Sequence, residues 1–393
     1  MTTQPRPHSV RFPASDVQRL RQRLAETRWA PGFDSPAWSY GPPQEYVRTL
    51  VDYWRTEFDF DAAERRINAV PNWLLEIDGL DIHFLHARAA TESATPILVL
   101  HGWPGSVVEF LEAAPRLADP SRYGAPADEA FHVVAPSLQG YAYSPSAPGP
   151  GMSPRAMAIR FAVLMEALGY DRYLVQGGDW GSLVASHLAA MYPERVIGLH
   201  LSIAQPFPPN DVPDPMTLVE PHELPWVEAN ARHLAEGLGY YAIQATRPEA
   251  LEYALTDSPA GWCAWVLDKF HAWTDAERDG IRDLRNALSW DTFLTNLSLY
   301  WFTGSIGSSI RLYREQSLAT ARGEGAAGKI AVPTGVTIYP AEIVKSPRAW
   351  MERRVHLVRW TTADSGGHFA AMEQPAVFAD DLRAFHRALR SGC

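Results

Sequence analysis

Asp179 is the residue of this sequence that is best placed for a chemical role. It lies in YLVQGGDWGSLVA (residues 173–185), where an apolar run predicts a buried strand and the residues after the glycines predict the start of a helix. A sharp strand-to-helix turn exposes its central side chain at the carboxyl end of a parallel sheet, where open α/β sheets bind ligands. A carboxylate is ionised at pH 7, so it needs no base and suits displacement at a strained or activated sp3 carbon. That displacement leaves an ester, which a second step must hydrolyse.

The same aspartate also has a simpler interpretation, because Asp is a favoured N-cap of the helix that follows it. Gly177, Gly178 and Gly181 lie close to Asp179, as a tight turn needs small neighbours. Ser182 lies beyond the apex of the turn, so a serine nucleophile is the least favoured alternative. Nucleophile and cap are both compatible with this segment alone, and the choice depends on residues elsewhere.

Two further segments supply groups that an ester-forming carboxylate would use. HGWPGS (residues 101–106) follows an apolar run, and the amide of Trp103 together with that of Trp180 predicts an oxyanion hole. His368 follows a double glycine in DSGGHFAAMEQP and takes the last place in the chain order nucleophile, acid, histidine. Because Asp179 needs no base, this histidine is free to activate water.

The acid that would orient His368 has two candidates. Glu342 comes just after a late strand in TIYPAEIVKSP, whereas Asp364 lies only a few residues from the histidine in the same loop. We favour Glu342, because the acid of such a triad normally comes from the loop of the preceding strand and holds the imidazole from behind.

Composition excludes several classes of function. The 393 residues are 46% apolar with a formal net charge of -10 and have no Lys/Arg cluster, which argues against binding nucleic acid or anionic membranes. Cys263 and Cys393 provide neither a disulfide framework nor a multi-cysteine metal site. No apolar run approaches the length of a membrane span, and residues 1–16 lack the apolar core of a signal peptide. We therefore expect a soluble, cytoplasmic protein.

The order of apolar and helical segments predicts an α/β fold. Runs such as ILVL (residues 97–100), FHVV (131–134) and VIGLHLS (196–202) are separated by helical segments, which is typical of a mostly parallel sheet covered on both faces. LLEIDGLDIHFLHA (74–87) predicts a hairpin around a glycine. Residues 205–325 are rich in Trp and Pro and mostly helical in pattern, so we expect them to form a cap over the sheet.

Taken together, HGWPGS, GGDWGS and GGHFAAMEQP resemble the microsomal-type epoxide hydrolases of the α/β-hydrolase superfamily. The segment YWRTEFDFDAAERRINAVPNWLLEIDG (residues 53–79) resembles the N-terminal extension of that family, so the resemblance covers nearly the whole chain. It implies an α/β-hydrolase fold in four segments. These are an extension that wraps the core and cap (1–95), the first part of the core (96–204), a helical cap (205–325) and the second part of the core (326–393).

The resemblance also implies a reaction and the residues that perform it. The family's aspartate nucleophile is matched by Asp179, its water-activating histidine by His368 and its acid by Glu342. The implied reaction converts a small-molecule epoxide and water to a vicinal diol through a hydroxyalkyl ester, with no metal or organic cofactor. Membrane-bound relatives carry a hydrophobic N-terminal anchor that is not seen in this sequence, so we expect no membrane anchor.

Two cap tyrosines of the family hold the epoxide oxygen. Tyr240 in GLGYYAIQATRP matches the first, with Tyr241 as a neighbouring alternative, and Tyr313 in GSSIRLYREQ matches the second. A phenol stays protonated at pH 7 and can therefore hydrogen-bond the ring oxygen as negative charge develops on it. The aromatic-rich cap is compatible with a bulky or aromatic epoxide, although most of these aromatic residues are expected to form the core of the cap.

Other functions share parts of this pattern. A haloalkane dehalogenase has the same fold, nucleophile and Asp-Trp pair, and differs in needing N–H donors for a departing halide. A non-catalytic ligand-binding protein of this fold is disfavoured, because every expected catalytic member is present. The sequence does not separate a detoxifying from a biosynthetic role, and its acidic, aromatic-rich character is compatible with a monomer or a homodimer.

Overall fold

The computed structural model describes residues 4–205, 207–325 and 328–391. A nine-stranded sheet of order β1-β2-β3-β5-β4-β6-β7-β10-β11 lies at its centre, and β8 and β9 form a separate two-stranded ribbon. The strands are β1 (Arg6–His8), β2 (Asn72–Ile77), β3 (Leu80–Ala87), β4 (Thr95–Leu100), β5 (Phe131–Pro136), β6 (Tyr173–Gly177), β7 (Val196–Leu201), β8 (Glu277–Arg278), β9 (Ile281–Arg282), β10 (Ile330–Ile338) and β11 (Val355–Thr362).

Fifteen α-helices are assigned within the described residues. They are α1 (Ala14–Ala25), α2 (Gln44–Thr56), α3 (Phe60–Asn68), α4 (Ala113–Ala118), α5 (Pro154–Ala167), α6 (Asp179–Met191), α7 (Leu224–Arg232), α8 (Gly239–Thr246), α9 (Pro248–Asp257), α10 (Pro259–Trp273), α11 (Trp290–Thr303), α12 (Ile306–Ala321), α13 (Arg348–Arg354), α14 (Ala370–Glu373) and α15 (Pro375–Arg390). We call α7–α12, which come between β7 and β10, the cap helices.

The expectation of a mostly parallel sheet is confirmed. The six strands from β5 to β11 in the sheet order pair in parallel, whereas β1, β2 and β3 add an antiparallel edge. Strands β5 and β6 are buried along their whole length, as expected for strands with both faces covered. The predicted hairpin is formed by β2 and β3, and its turn residues Asp78 and Gly79 both have positive φ, as a tight hairpin turn requires.

The N-terminal helices pack against the cap helices rather than against the sheet alone. Helices α1 and α2 contact α10, and α3 contacts α11. The indole of Trp54 on α2 is fully buried and donates to the Ser298 hydroxyl on α11 at 3.0 Å. Tyr53, next to it, donates to the Asp291 carboxylate at 2.9 Å. The first seventy residues therefore contribute both to the edge of the sheet and to the support of the cap, while the proposed boundaries between segments stay a prediction.

Two further expectations from the sequence concern the cysteines and membrane-spanning segments. Cys263 is a buried free thiol, and Cys393 lies outside the described residues. No helix in the part of the chain that the structure describes is long and apolar enough to cross a bilayer.

Trp54→Ala should lower the free energy of unfolding by about 3–5 kcal/mol, because it removes a fully buried indole and its hydrogen bond between α2 and α11. Urea denaturation monitored by circular dichroism measures the change. Asp52→Ala, at an exposed position of the same helix, is the control and should shift the value by no more than about 0.5 kcal/mol. Equal effects of the two substitutions would contradict this role of Trp54.

Candidate active site

The turn between β6 and α6 holds Asp179 in a left-handed backbone conformation. Asp179 has φ 46° and is the first residue of α6, while Gly178 occupies the N-cap position. The backbones cross so closely that a Cβ on Gly181 would lie 2.1 Å from the carbonyl oxygen of Leu100 on β4. The local sequence is thus explained by sterics, and the alternative in which Asp179 itself is the N-cap is wrong.

The Asp179 carboxylate is held by the loop of residues 101–106. Its Oδ1 accepts a hydrogen bond of 2.8 Å from the amide of Trp103. This approach requires a glycine at position 102, because a Cβ on Gly102 would lie 2.0 Å from the same oxygen. Trp180 follows Asp179 directly in the first turn of α6, and its side chain is buried. One predicted oxyanion donor therefore already contacts the carboxylate, and the second lies next to it in the chain.

His368 and Glu342 come from two loops that are joined at the sheet edge. Ala341 and Gly367 form a parallel bridge, which aligns the loop after β10 with the loop after β11. Nδ1 of His368 donates to Oε1 of Glu342 at 2.7 Å, and both side chains are almost fully buried. Asp364, the other candidate acid, is exposed. The structure thus brings Glu342, and not Asp364, to the histidine.

The opposite ring nitrogen of His368 faces Asp179. Nε2 lies 3.2 Å from Oδ2 of Asp179, yet it is buried without a hydrogen bond in the described part of the chain. Burial alone would lower the pKa of His368, but the carboxylates of Glu342 and Asp179 outweigh burial and raise the pKa well above the ordinary histidine value. With Asp179 ionised, His368 is therefore protonated at neutral pH.

The two predicted tyrosines lie on the cap side of Asp179. Tyr240 on α8 and Tyr313 on α12 are buried, with ring centroids 5.8 Å apart. Tyr240 stacks on Trp103 at 5.5 Å, and Tyr313 meets the edge of Trp180 at 4.7 Å. Burial and the negative charge of Asp179 raise the pKa of both phenols, so both remain proton donors at neutral pH.

Tyr241, the alternative to Tyr240, is more exposed and packs against Tyr313 at 5.2 Å. Burial raises its pKa, with no contribution from Asp179. This difference favours Tyr240 as the first oxygen-binding tyrosine.

Sequence reasoning missed the residues that hold the loop of residues 101–106. Asn296 on α11 is fully buried, accepts from the Ser106 hydroxyl at 2.7 Å and donates to the Pro104 carbonyl at 2.8 Å. Tyr300, one turn later, donates to the Gly105 carbonyl at 2.5 Å. We call these contacts the α11 clamp. The only sequence signal for it is an asparagine in a helix of mixed apolar and polar residues, which does not indicate a partner.

His101 secures the other end of the same loop. Its Nε2 accepts from the amide of Leu138 at 3.1 Å, so its Nδ1 carries the proton and donates to the Gly102 carbonyl at 3.1 Å. Burial lowers the pKa of His101 to about 4. The ring therefore stays neutral near pH 7 and acts as a fixed hydrogen-bonding link.

Among the described residues, no group of three or more His, Cys, Asp or Glu side chains is placed to hold a metal ion. The site contains a carboxylate, an imidazole with a carboxylate partner, a backbone N–H donor and two phenols. This set is suited to opening a polarised ring and then hydrolysing the resulting ester.

Comparisons with known proteins find relatives along nearly the whole chain. The family described as "Epoxide hydrolase N terminus" matches residues 5–110, and "alpha/beta hydrolase fold" matches residues 95–237. A Stigmatella aurantiaca protein named "Putative epoxide hydrolase" is 42% identical over 386 residues, which cover 98% of this chain and 85% of the relative. "Epoxide hydrolase 1" of Sus scrofa is 33% identical over 410 residues, covering 97% and 88% of the two chains.

A solved structure agrees with these relatives. Juvenile hormone epoxide hydrolase from the silkworm Bombyx mori superposes with a TM-score of 0.89 at 34% identity. The match covers 99% of this chain and 95% of that one.

Asp179→Asn should lower the pKa of His368, because it removes one of the two carboxylates that favour the charged imidazole. NMR titration of protein labelled with 15N-histidine measures this pKa. Asp364→Asn is the matched control, since it removes an exposed acid from the loop that leads to His368. An unchanged pKa in Asp179→Asn would contradict the coupling of the two groups.

Asn296→Leu should lower the free energy of unfolding by about 2–4 kcal/mol, because the buried Pro104 carbonyl loses its donor and the buried Ser106 hydroxyl loses its acceptor. It should also lower kcat by about tenfold or more, since the loop that carries the Trp103 amide loses its support. Thr303→Ala, which removes a hydroxyl at the end of the same helix, is the control. Wild-type kcat in Asn296→Leu would show that the α11 clamp does not govern the loop.

Proposed function

The chain belongs to the epoxide hydrolase family of the α/β-hydrolase fold, it is an epoxide hydrolase, and we propose that Asp179 is the nucleophile with which it opens the ring. The observation that carries this proposal is the convergence of groups on one carboxylate. Oδ1 of Asp179 accepts from the Trp103 amide at 2.8 Å, and Oδ2 lies 3.2 Å from Nε2 of His368.

In the first half-reaction, Tyr240 and Tyr313 hydrogen-bond the epoxide oxygen. Asp179 attacks one ring carbon from the opposite side, the C–O bond of the ring breaks, and a hydroxyalkyl ester forms. One of the two phenols gives its proton to the alkoxide oxygen as this bond breaks. The phenolate takes a proton back when hydrolysis leaves Asp179 as a carboxylic acid that then ionises. The pKa of both phenols is raised by burial and by Asp179, which keeps them protonated until charge develops on the substrate.

In the second half-reaction, His368 takes a proton from water while Glu342 stabilises the imidazolium. The resulting hydroxide attacks the ester carbonyl carbon, and the amide of Trp103, with that of Trp180, stabilises the oxyanion. The acyl–oxygen bond then breaks, and the departing diol oxygen takes the proton from His368. The contact between Trp103 and Oδ1 supports this step, because Oδ1 is an oxygen on which the negative charge develops.

The charge of Asp179 explains how one histidine serves both steps. The Glu342 and Asp179 carboxylates raise the pKa of His368 above the lowering effect of burial, so the resting imidazole is protonated. Ester formation neutralises Asp179 and removes its share of that stabilisation. The pKa of His368 then falls, and the neutral imidazole becomes available as a base when water has to be activated.

One structural feature is also compatible with the alternative reaction, haloalkane dehalogenation. The indole N–H groups of Trp103 and Trp180 are buried without an acceptor in the described part of the chain, and such donors suit an anion. The two buried tyrosines favour an epoxide oxygen instead. Halide release from haloalkanes is therefore the comparison assay.

A bulky or aromatic substrate stays a prediction, since Trp262, Phe270 and Tyr300 are fully buried as packing residues.

His368→Gln should stop at the ester, because alkylation by Asp179 needs no base but hydrolysis does. Intact-mass spectrometry under turnover with an aryl epoxide should show the chain heavier by one epoxide. Asp179→Asn should show no adduct and should lower diol formation by roughly 10⁴-fold or more. A His368→Gln enzyme that forms no adduct, or a wild type that releases halide but no diol, would refute the proposed mechanism.

A further inference from the structure

A small cavity lies beside Asp179, and neither Tyr240 nor Tyr313 lines it. Its walls include Asp179, His368, Glu109, Gln176 and Ser202. The space open to a water-sized sphere is about 10 Å³, which is on the order of what a single water molecule needs. A cavity of this size with several polar groups in its wall suits water and excludes an organic substrate.

Gln176 on β6 presents an unused acceptor in the wall of this cavity. The side chain is 2% exposed, and its Nε2 donates to the Ser202 hydroxyl at 3.1 Å. Its Oε1 is buried without a hydrogen bond among the residues described. A buried amide oxygen left without a donor is costly, so a polar partner is expected in the space it borders.

Nε2 of His368 is the second buried atom without a hydrogen bond at this cavity. It lies 3.2 Å from Oδ2 of Asp179 and forms an ion pair with it while Asp179 carries its charge. Ester formation removes that charge, and the neutral imidazole then offers Nε2 as an acceptor. A water molecule has two protons to donate, and Gln176 and His368 together offer two acceptors at that stage.

Glu109 completes the polar wall and follows the loop of residues 101–106. Its carboxylate packs against Gly105, where a Cβ would lie 1.8 Å from Oε1. Burial raises the pKa of Glu109 to about 8, an effect that His368 opposes and Asp179 reinforces. At pH 7 the group is mostly a neutral carboxylic acid, which can donate a hydrogen bond to a water oxygen without placing a second anion beside Asp179.

We infer that Gln176 and Glu109 bind the hydrolytic water and present it to His368 and to the ester carbonyl carbon of Asp179. This inference rests on the proposed function. The water transfers one proton to Nε2 of His368, keeps the other in a hydrogen bond to Oε1 of Gln176, and its lone pair forms the bond to the carbonyl carbon. The acyl–oxygen bond breaks, and the diol oxygen recovers the proton from His368. Both residues therefore serve the second half-reaction and not the first.

The test separates the two half-reactions by rapid quench and intact-mass spectrometry, with styrene oxide as the probe. Gln176→Met and Glu109→Leu should slow ester hydrolysis by about tenfold or more while changing the alkylation rate less than about twofold. As the ester accumulates, kcat and KM should fall together and kcat/KM should stay constant. Glu109→Gln, which keeps a neutral hydrogen-bonding group, should retain hydrolysis within about threefold of the unaltered chain.

Gln139→Met is the matched control, because it removes another buried glutamine that does not line the cavity. It should leave the ratio of the two rates unchanged. Unchanged hydrolysis in Gln176→Met, or equal slowing of both steps, would overturn the inference, since a packing role has no preference for one step. No ester in the unaltered chain would overturn the proposed function and this inference with it.

A crystal structure of the unaltered chain provides a second measurement that does not depend on whether the variants fold. One ordered water within hydrogen-bond distance of Gln176 and His368 would support the inference. Side chains closing the cavity in that structure would overturn it.

Discussion

The negative charge of Asp179, whose side chain is 19% exposed, is the constraint on which the rest of the site depends. An anion withdrawn from water costs several kcal/mol unless donors and positive charge replace its hydration. The Trp103 amide and the His368 imidazole supply that replacement at 2.8 and 3.2 Å. Burial, reinforced by the same charge, raises the pKa of Tyr240 and Tyr313, so these two phenols remain donors. One carboxylate therefore influences the protonation state of its neighbours, and in the proposed mechanism its conversion to an ester lowers the pKa of the histidine.

The donor that meets this charge is positioned by contacts far away in the sequence. Asn296 and Tyr300 fix the loop that carries the Trp103 amide, and both lie on helix α11. That helix is in turn held from the N-terminal side, where Trp54 donates to Ser298. Hydrogen bonds therefore connect the N-terminal helices, the cap helices and the loop that contacts Asp179, although these segments are distant in the chain.

Much of this could be predicted from the sequence, because the signals are local. Asp179 and His368 lie in short strand-and-turn segments whose glycines are demanded by sterics, and the parallel sheet follows from its apolar runs. Glu342 could be preferred over Asp364 from chain order alone, and the structure brings Glu342 to the histidine. The four proposed segments and the catalytic roles stay predictions.

What could not be predicted depends on pairing between remote residues. Asn296 is one of several polar residues in its helix, and its partners lie about 190 residues away. Gln176 and Glu109 have ordinary positions in a strand and a turn, and only the packed structure places them at the same cavity as His368. The protonation state of His368 likewise results from side chains on three separate loops, so no local pattern encodes it.

The α11 clamp has a consequence for how substrate enters. A lid that swung open as a rigid body would carry Asn296 away from Pro104 and Ser106, and the loop bearing the Trp103 amide would lose its support with each opening. Opening of the cap and the position of the Trp103 amide are thereby coupled through helix α11. We therefore expect substrate and product to reach and leave Asp179 through displacements of the other cap helices, while α11 stays in place.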